Sequence, residues 1–159
     1  MDMTTQLMAA LQNMDPAAIE AALMGLGGLL FVGIAFAVIR YLMHAIGYAA
    51  MYRKAGVASW KAFIPFYNTY NNYKISWNGK LFFLYAAMII ASTFLGIFTE
   101  GIMASVASLV SFGVVYMTLK QNVNMAKLFG KGTATGVALA VFPGITSLVL
   151  GLGKAEFQK

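Results

Sequence analysis

The sequence predicts an all-α integral membrane protein, a bundle of four transmembrane helices joined by short loops. Three observations carry that reading. The chain is 60% hydrophobic and 10% charged, with a mean hydropathy of +0.75, whereas soluble domains carry roughly 25% charged residues. Its apolar residues fall into four runs parted by polar segments. The longest of those segments, Arg53–Lys80 (RKAGVASWKAFIPFYNTYNNYKISWNGK), holds five cations, no acid and seven aromatics. That composition suits a loop on the cytoplasmic face of a bilayer, with rings at the interface and cations toward anionic headgroups. At this length a single membrane domain over residues 1–159 is expected.

The elements follow in chain order. Leu7, Met8, Leu11 and Met14 stand at helical spacing, so residues 4–14 read as an amphipathic segment on the outer interface. The chain starts with an acidic Asp2 and no basic n-region, unlike a signal peptide. Asp15-Pro16 reads as an N-cap followed by the first helical residue, where proline's missing N–H costs nothing. From Ala21 to Ile39 nineteen consecutive residues are uncharged, close to the length that crosses a ~30 Å core. The helical pattern continues to Tyr52, giving a first span over 16–52 that must tilt, bend or project.

The basic loop over 53–80 follows, and Pro65 divides it, because proline lacks the ladder donor and restricts the residue before it. Short interfacial helices on either side of Pro65 are predicted. The second span is 81–98 and the third 102–119, joined by the tight turn Thr99-Glu100-Gly101 into an antiparallel hairpin. A second polar loop, 120–132, carries Lys120, Lys127 and Lys131. The last apolar run, 133–152, has Pro143-Gly144 near its middle and is either a kinked fourth span or a re-entrant pair of half-helices. Both long loops are basic, while Asp2, Asp15 and Glu20 precede the first span. The positive-inside rule therefore puts the N-terminus outside and both loops in the cytoplasm. Four full spans, the favoured form, leave the tail with Lys154, Glu156 and Lys159 outside; a re-entrant last segment returns it to the cytoplasm.

Four groups of residues are candidates for function. Arg53, Lys54, Trp60, Lys61, Tyr67, Asn68 and Lys74 are the expected lipid or partner contacts of the basic loop, with interfacial anchoring the simpler use of its rings. Amides at Asn68, Asn71 and Asn72 suit hydrogen bonds to loop backbone near the membrane. Arg40, His44 and Tyr48 recur at one-turn spacing as a polar stripe. The stripe either lines a cavity or snorkels at the cytoplasmic boundary. Gly132, Gly136, Ala140 and Gly144 recur every fourth residue, which lets backbones approach closely. They serve packing within the protomer, with partners such as Gly33/Ala37 or Ala104/Ser108, or self-association.

Other chemistries fit poorly. FGKGT at 129–133 lacks the earlier glycine of a phosphate loop, since Met125 stands there, and GLGG at 25–28 has Leu30 where a dinucleotide fingerprint needs glycine. One histidine, no cysteine and five acids outside the spans or at their ends leave no triad and no metal-ligand cluster. No cofactor is expected. The net charge of +6 sits in short loops rather than on one soluble face, which argues against nucleic acid.

RKAGVASWKAFIPFYNTY, followed by AKLFGKGTATGVALAVFPGITSLVLGLGKAEF, resembles a family of small bacterial integral membrane proteins of unknown function. Its members carry a KAG-xxx-W-x-A-x-IP-x-YN loop and a later AK-x-FGK segment, and some bear the label signal peptidase I through fusion to that enzyme. The likeness runs from about Tyr48 to Phe157 and is best over Lys54–Tyr70 and Ala126–Gly132. The sequence departs from the pattern at the unusually polar Asn71–Trp77 and at its close, LGLGKAEF in place of LGFGDAxY. The resemblance implies a bacterial inner-membrane protein and brings no catalytic residues. The expected function is a non-enzymatic membrane protein, self-associating as a homo-oligomer, with cytoplasmic loops on anionic lipid headgroups or a membrane-protein partner. A small oligomeric channel or transporter is the alternative, and an accessory subunit of a membrane enzyme the third reading.

Overall fold

The first long helix, α1 (Pro16–Lys54), begins as its sequence requires. Pro16 occupies the first turn, and the Asp15 carboxylate accepts the Ala17 N–H at 3.0 Å, satisfying a donor that has no intrahelical partner. The helix stops at Gly56, whose φ of +71° is costly for any residue with a Cβ. The Val57 N–H reaches back to the Tyr52 carbonyl and the Gly56 N–H to Arg53, the paired bonds of a Schellman motif. This computed structural model describes residues 2–6, 15–97 and 100–158. The amphipathic segment expected over 4–14 therefore falls largely outside the described residues, as do Phe98 and Thr99 at the expected tight turn.

Among the described residues every regular element is helical. After α1 come a 3-10 helix (Ser59–Phe63), α2 (Pro65–Ser76), α3 (Gly79–Leu95), α4 (Gly101–Leu128), α5 (Thr133–Val141) and α6 (Pro143–Leu152); residues 3–6 form one helical turn. Pro65 starts α2 with Ile64 extended before it, as a pre-proline residue prefers. The Asn78 side chain accepts the Lys80 N–H at 2.9 Å and caps α3. By length and composition α1 and α4 can each cross a membrane, while α3 and α6 are shorter apolar helices.

Two boundaries differ from the sequence expectation by more than three residues. The polar segment 120–132 is not a loop throughout, because α4 runs on to Leu128. One helical face of this stretch is buried, with two amides beside two apolar residues: Gln121, Asn122, Met125 and Ala126. Gly130, at φ +66°, stops this helix with the same paired bonds, Lys131 N–H to Ala126 and Gly130 N–H to Lys127. The FGKG motif is thus a helix stop. At the other boundary, the last apolar run breaks at Phe142–Pro143 into two helices of nine and ten residues.

Those two helices fold back on each other. The Thr146 hydroxyl donates to the Ala138 carbonyl at 3.1 Å, eight residues earlier; in a straight helix that separation spans about 12 Å of rise. α5 packs against α4, where a Cβ on Gly136 would lie 2.9 Å from the Val123 nitrogen. α6 packs against α1, where a Cβ on Gly151 would lie 2.5 Å from the Gly47 carbonyl oxygen. Gly47 faces Ser147 and Gly151 approaches Ala50 and Met51, so α6 runs parallel to the end of α1. The tail then joins both helix ends, with Lys54 Nζ donating to the carbonyls of Leu150 (2.8 Å), Gly153 (2.7 Å) and Ala155 (2.8 Å). The Gln158 N–H donates to Leu128 at 2.6 Å. Residues 133–152 thus form two short helices, Thr133–Val141 and Pro143–Leu152, in place of one continuous helix.

Packing divides the chain into two compact units, Met1–Arg40 and Tyr41–Lys159. In the second, Tyr48, Met51 and Tyr52 of α1 meet Ala62, Met125, Phe129, Leu139 and Leu150 in one core.

Candidate functional site

The second unit buries amides rather than aliphatic side chains along α2. Asn68, Asn71 and Asn72, at i, i+3 and i+4, are buried, while Phe66 on the opposite face is 82% exposed. A helix with amides inward and phenylalanine outward is the reverse of a water-soluble pattern. The amides are used. The Tyr52 hydroxyl lies 2.7 Å from the Asn68 carbonyl, 2.5 Å from Asn68 Oδ1 and 2.7 Å from Asn72 Oδ1. Asn68 Nδ2 is 3.1 Å from His44 Nε2. With the amide donating, that ring nitrogen accepts and carries no proton. Asn71 Nδ2 donates to the Tyr67 carbonyl at 2.6 Å, the backbone role the sequence suggests for these amides.

α4 extends the network. Gln121 Nε2 donates to Ser76 Oγ at 3.2 Å, and that hydroxyl donates to the Asn72 carbonyl at 2.6 Å. The Tyr48 hydroxyl donates to Asn122 Oδ1 at 3.4 Å, and Asn122 Nδ2 to Thr118 at 2.9 Å. Rings complete the wall: His44 and Tyr48 have centroids 4.5 Å apart, and Tyr73 and Tyr85 5.3 Å apart.

These groups enclose a cavity of about 170 Å³. Helix α1 supplies His44 and Tyr48; α2 supplies Thr69, Asn72 and Tyr73. Tyr85 comes from α3, and Thr118, Gln121 and Asn122 from α4. The fold-back of α5 and α6 closes one side with Leu139, Ala140 and Pro143. Pro143 has no N–H, so the Leu139 carbonyl lacks the donor that would continue its helix. The Tyr73 hydroxyl is buried without a hydrogen-bond partner. Burial, with Tyr85 beside it, raises the Tyr73 phenol above its ordinary range, so it stays protonated at physiological pH.

The predicted site residues separate into inward and outward sets. Of the polar stripe, His44 and Tyr48 line the cavity, while Arg40 belongs to the first unit and is exposed. Of the basic loop, Lys54 and Asn68 turn inward, Lys54 to three carbonyls and Asn68 to Tyr52 and His44. Arg53, Trp60 and Lys74 are exposed. Lys61 Nζ lies 5.6 Å from the Tyr67 ring centroid, and that ring stacks on Tyr70.

The small-residue series divides too. Gly136 meets Val123 within the protomer, Gly132 faces open space and Ala140 lines the cavity. The Gly144 carbonyl accepts from Ser147 at 3.1 Å. The partners of Gly136 and Gly151 are Val123 and Gly47; a Cβ on Gly33 would meet nothing within 4 Å. Sequence reasoning missed Tyr52, Tyr85, Thr118, Gln121 and Asn122, and counted Tyr73 only among the loop's interfacial rings. Tyr52 follows His44 and Tyr48 at the same one-turn spacing, a signal that could have extended the stripe.

With this geometry in place, comparison with known proteins gives one match. A family of unknown function (DUF5684) matches residues 60–159. The chain belongs to this family. No curated protein and no solved structure matches it. The region shared with the family contains α2 to α6 and every cavity residue except His44 and Tyr48. It also omits the start of the loop motif, Lys54 to Ser59.

Proposed function

We propose that the chain is a non-enzymatic, multi-pass protein of a bacterial cytoplasmic membrane. On this reading α1, α3 and α4 cross the bilayer, and α5–α6 dips in and returns on the side where α4 ends. The observation that carries it is the fold-back at Pro143 together with the tail bonds to Lys54 and Leu128. Three crossings with the N-terminus outside put both basic segments and the tail on the cytoplasmic side, so Lys154 no longer offends the positive-inside rule. The four-span bundle expected from sequence is replaced here by three spans and a re-entrant hairpin. The buried polar groups are amides, phenols and hydroxyls largely engaged with one another, which supports a structural or binding role. Exposed Arg53, Trp60 and Lys74, with Lys61 beside Tyr67, form the face offered to anionic headgroups or a membrane-protein partner.

The chain contains no cysteine, so Gln158→Cys introduces a unique thiol. In sealed inverted membrane vesicles a membrane-impermeant maleimide is expected to label it; labelling only from the periplasmic side would restore four spans. For the lipid face, brominated phosphatidylglycerol should quench the two tryptophans more than brominated phosphatidylcholine does. Arg53→Gln with Lys61→Gln and Lys74→Gln should remove the difference, and an unchanged preference would leave only an anchoring role.

A small-solute channel or transporter is the second reading, favoured by the re-entrant hairpin bordering a polar cavity. For a homo-oligomer, the groove of Ser92, Gly96, Ala104, Ala107, Ser108 and Ser111 between α3 and α4 fits a neighbouring helix better than the occupied Gly136 face does.

A further inference from the structure

We propose that the cavity between His44 and Pro143 binds a small uncharged polar solute that carries both hydrogen-bond donors and acceptors, of the carboxamide or polyol type. Unspent hydrogen-bonding capacity is the first argument. Tyr73 is 2% exposed and its buried hydroxyl has no partner, an unfavourable state unless something fills it. Beside it, Asn72 uses only its side-chain oxygen, toward Tyr52, which leaves its N–H₂ as a donor. Gln121 uses only its nitrogen, toward Ser76, which leaves its oxygen as an acceptor. Residues with spare donors and a spare acceptor thus border one space from α2 and α4.

Charge is the second argument. Among the described residues no Asp, Glu, Lys or Arg lines the cavity; its one histidine, His44, has Nε2 3.1 Å from the Asn68 amide nitrogen. An anion would meet no countercharge there. A cation would meet the Asn72 N–H₂ and Tyr73 O–H as donors pointing the wrong partial charge at it. A neutral ligand that offers an oxygen to those donors and an N–H or O–H to Gln121 satisfies all three. Size is the third argument: about 170 Å³, at ~30 Å³ per water, holds roughly four to six heavy atoms. The aromatic faces of Tyr48 and Tyr85 suit the apolar flank of such a molecule. Binding is at issue here, and it stands whether or not the solute crosses the membrane.

The test uses the full chain in lipid nanodiscs, with saturation-transfer NMR on acetamide, glycerol and methylammonium as probes. Acetamide or glycerol should give a saturable signal. Tyr73→Phe and Gln121→Leu should each weaken it about tenfold, the size of one neutral hydrogen bond, while the exposed Lys154→Gln leaves it unchanged. Without solute, Tyr73→Phe should melt at or above the parent temperature, because it removes an unpaired buried hydroxyl. This keeps the test informative should Gln121→Leu fold poorly. Saturation by methylammonium alone, no saturable signal from any probe, or parental affinity in both variants would each overturn the proposal.

Discussion

The two parts of α1 lie on one helix and obey opposite rules. Ile19 and Ala35 apart, every residue from Pro16 to Arg40 is exposed, although this part carries the most apolar stretch of the chain. From Tyr41 to Lys54 the same helix buries Ala45, Gly47, Tyr48, Ala50, Met51 and Tyr52. Burial therefore follows small residues and tyrosines here, while leucines and phenylalanines stay outside. In water that would be inverted. In lipid it is expected, because tails solvate leucine as well as a core does, and association rests on close approach and interhelical hydrogen bonds.

The sharpest way to break this contrast is to fill a glycine in the buried part. Gly151→Leu places a side chain where a Cβ alone would sit 2.5 Å from the Gly47 oxygen and 2.8 Å from the Ala50 Cβ. Both obstacles are tied to the α1 backbone and cannot swing aside. Overpacking of this kind costs about 3 kcal/mol or more, so the melting temperature in mild detergent should fall steeply, and Gly47→Leu should match it. Melting unchanged from the parent would mean that α6 does not lie on α1.

Next in size is the loss of a buried amide. Asn68→Ala removes one hydrogen-bond partner of His44 and one of three oxygens around Tyr52, a loss of about 2 kcal/mol for the two side-chain hydrogen bonds. Thermal unfolding followed by near-ultraviolet circular dichroism reports both the loss and the changed tyrosine environment. Asn78→Ala, at an exposed cap, should cost about half as much.

Lys54→Met comes third, with a local effect. The ammonium gathers three carbonyls at the end of α6, and without it the tail is held mainly by the Gln158–Leu128 bond and by Phe157 on Phe129. Amide exchange over residues 153–158 should rise about tenfold, as expected for about 1.4 kcal/mol of local stability, while exchange at Met125 and Ala126 holds. A rise spread evenly over the second unit would assign Lys54 a global role instead.

The contrast also explains how much was legible in the sequence. The helix starts at Asp15-Pro16 and Pro65 were, because they act through local backbone chemistry; the Asn78 cap, which starts α3 at Gly79, was read as loop. The outward cations and rings of the loop were, because amphipathicity is a property of the residues themselves. The end of α4 was not: Lys120, Gln121 and Asn122 read as loop, yet the amides pair with Ser76 and Tyr48, partners that are distant in sequence. Gly136 showed that something must approach closely, but nothing in its spacing could name Val123. The cavity was partly visible, as His44 and Tyr48, because its other walls come from five more helices.

The smallest expected effect tests the exposed part of α1. A Cβ on Gly28 would meet nothing within 4 Å, so Gly28→Leu adds a side chain that lipid can solvate. Intrinsic helix preference favours the change by a few tenths of a kcal/mol, and no packing opposes it. Melting should stay within about 0.5 kcal/mol of the parent in stability, against the large loss for Gly151→Leu on an equally small residue. A fall as large as that at Gly151 would show that residues 16–40 pack against a second chain. Size-exclusion chromatography with light scattering on the same variant would then show the assembly shrinking, and the lipid-solvated reading of this half would give way to an interface.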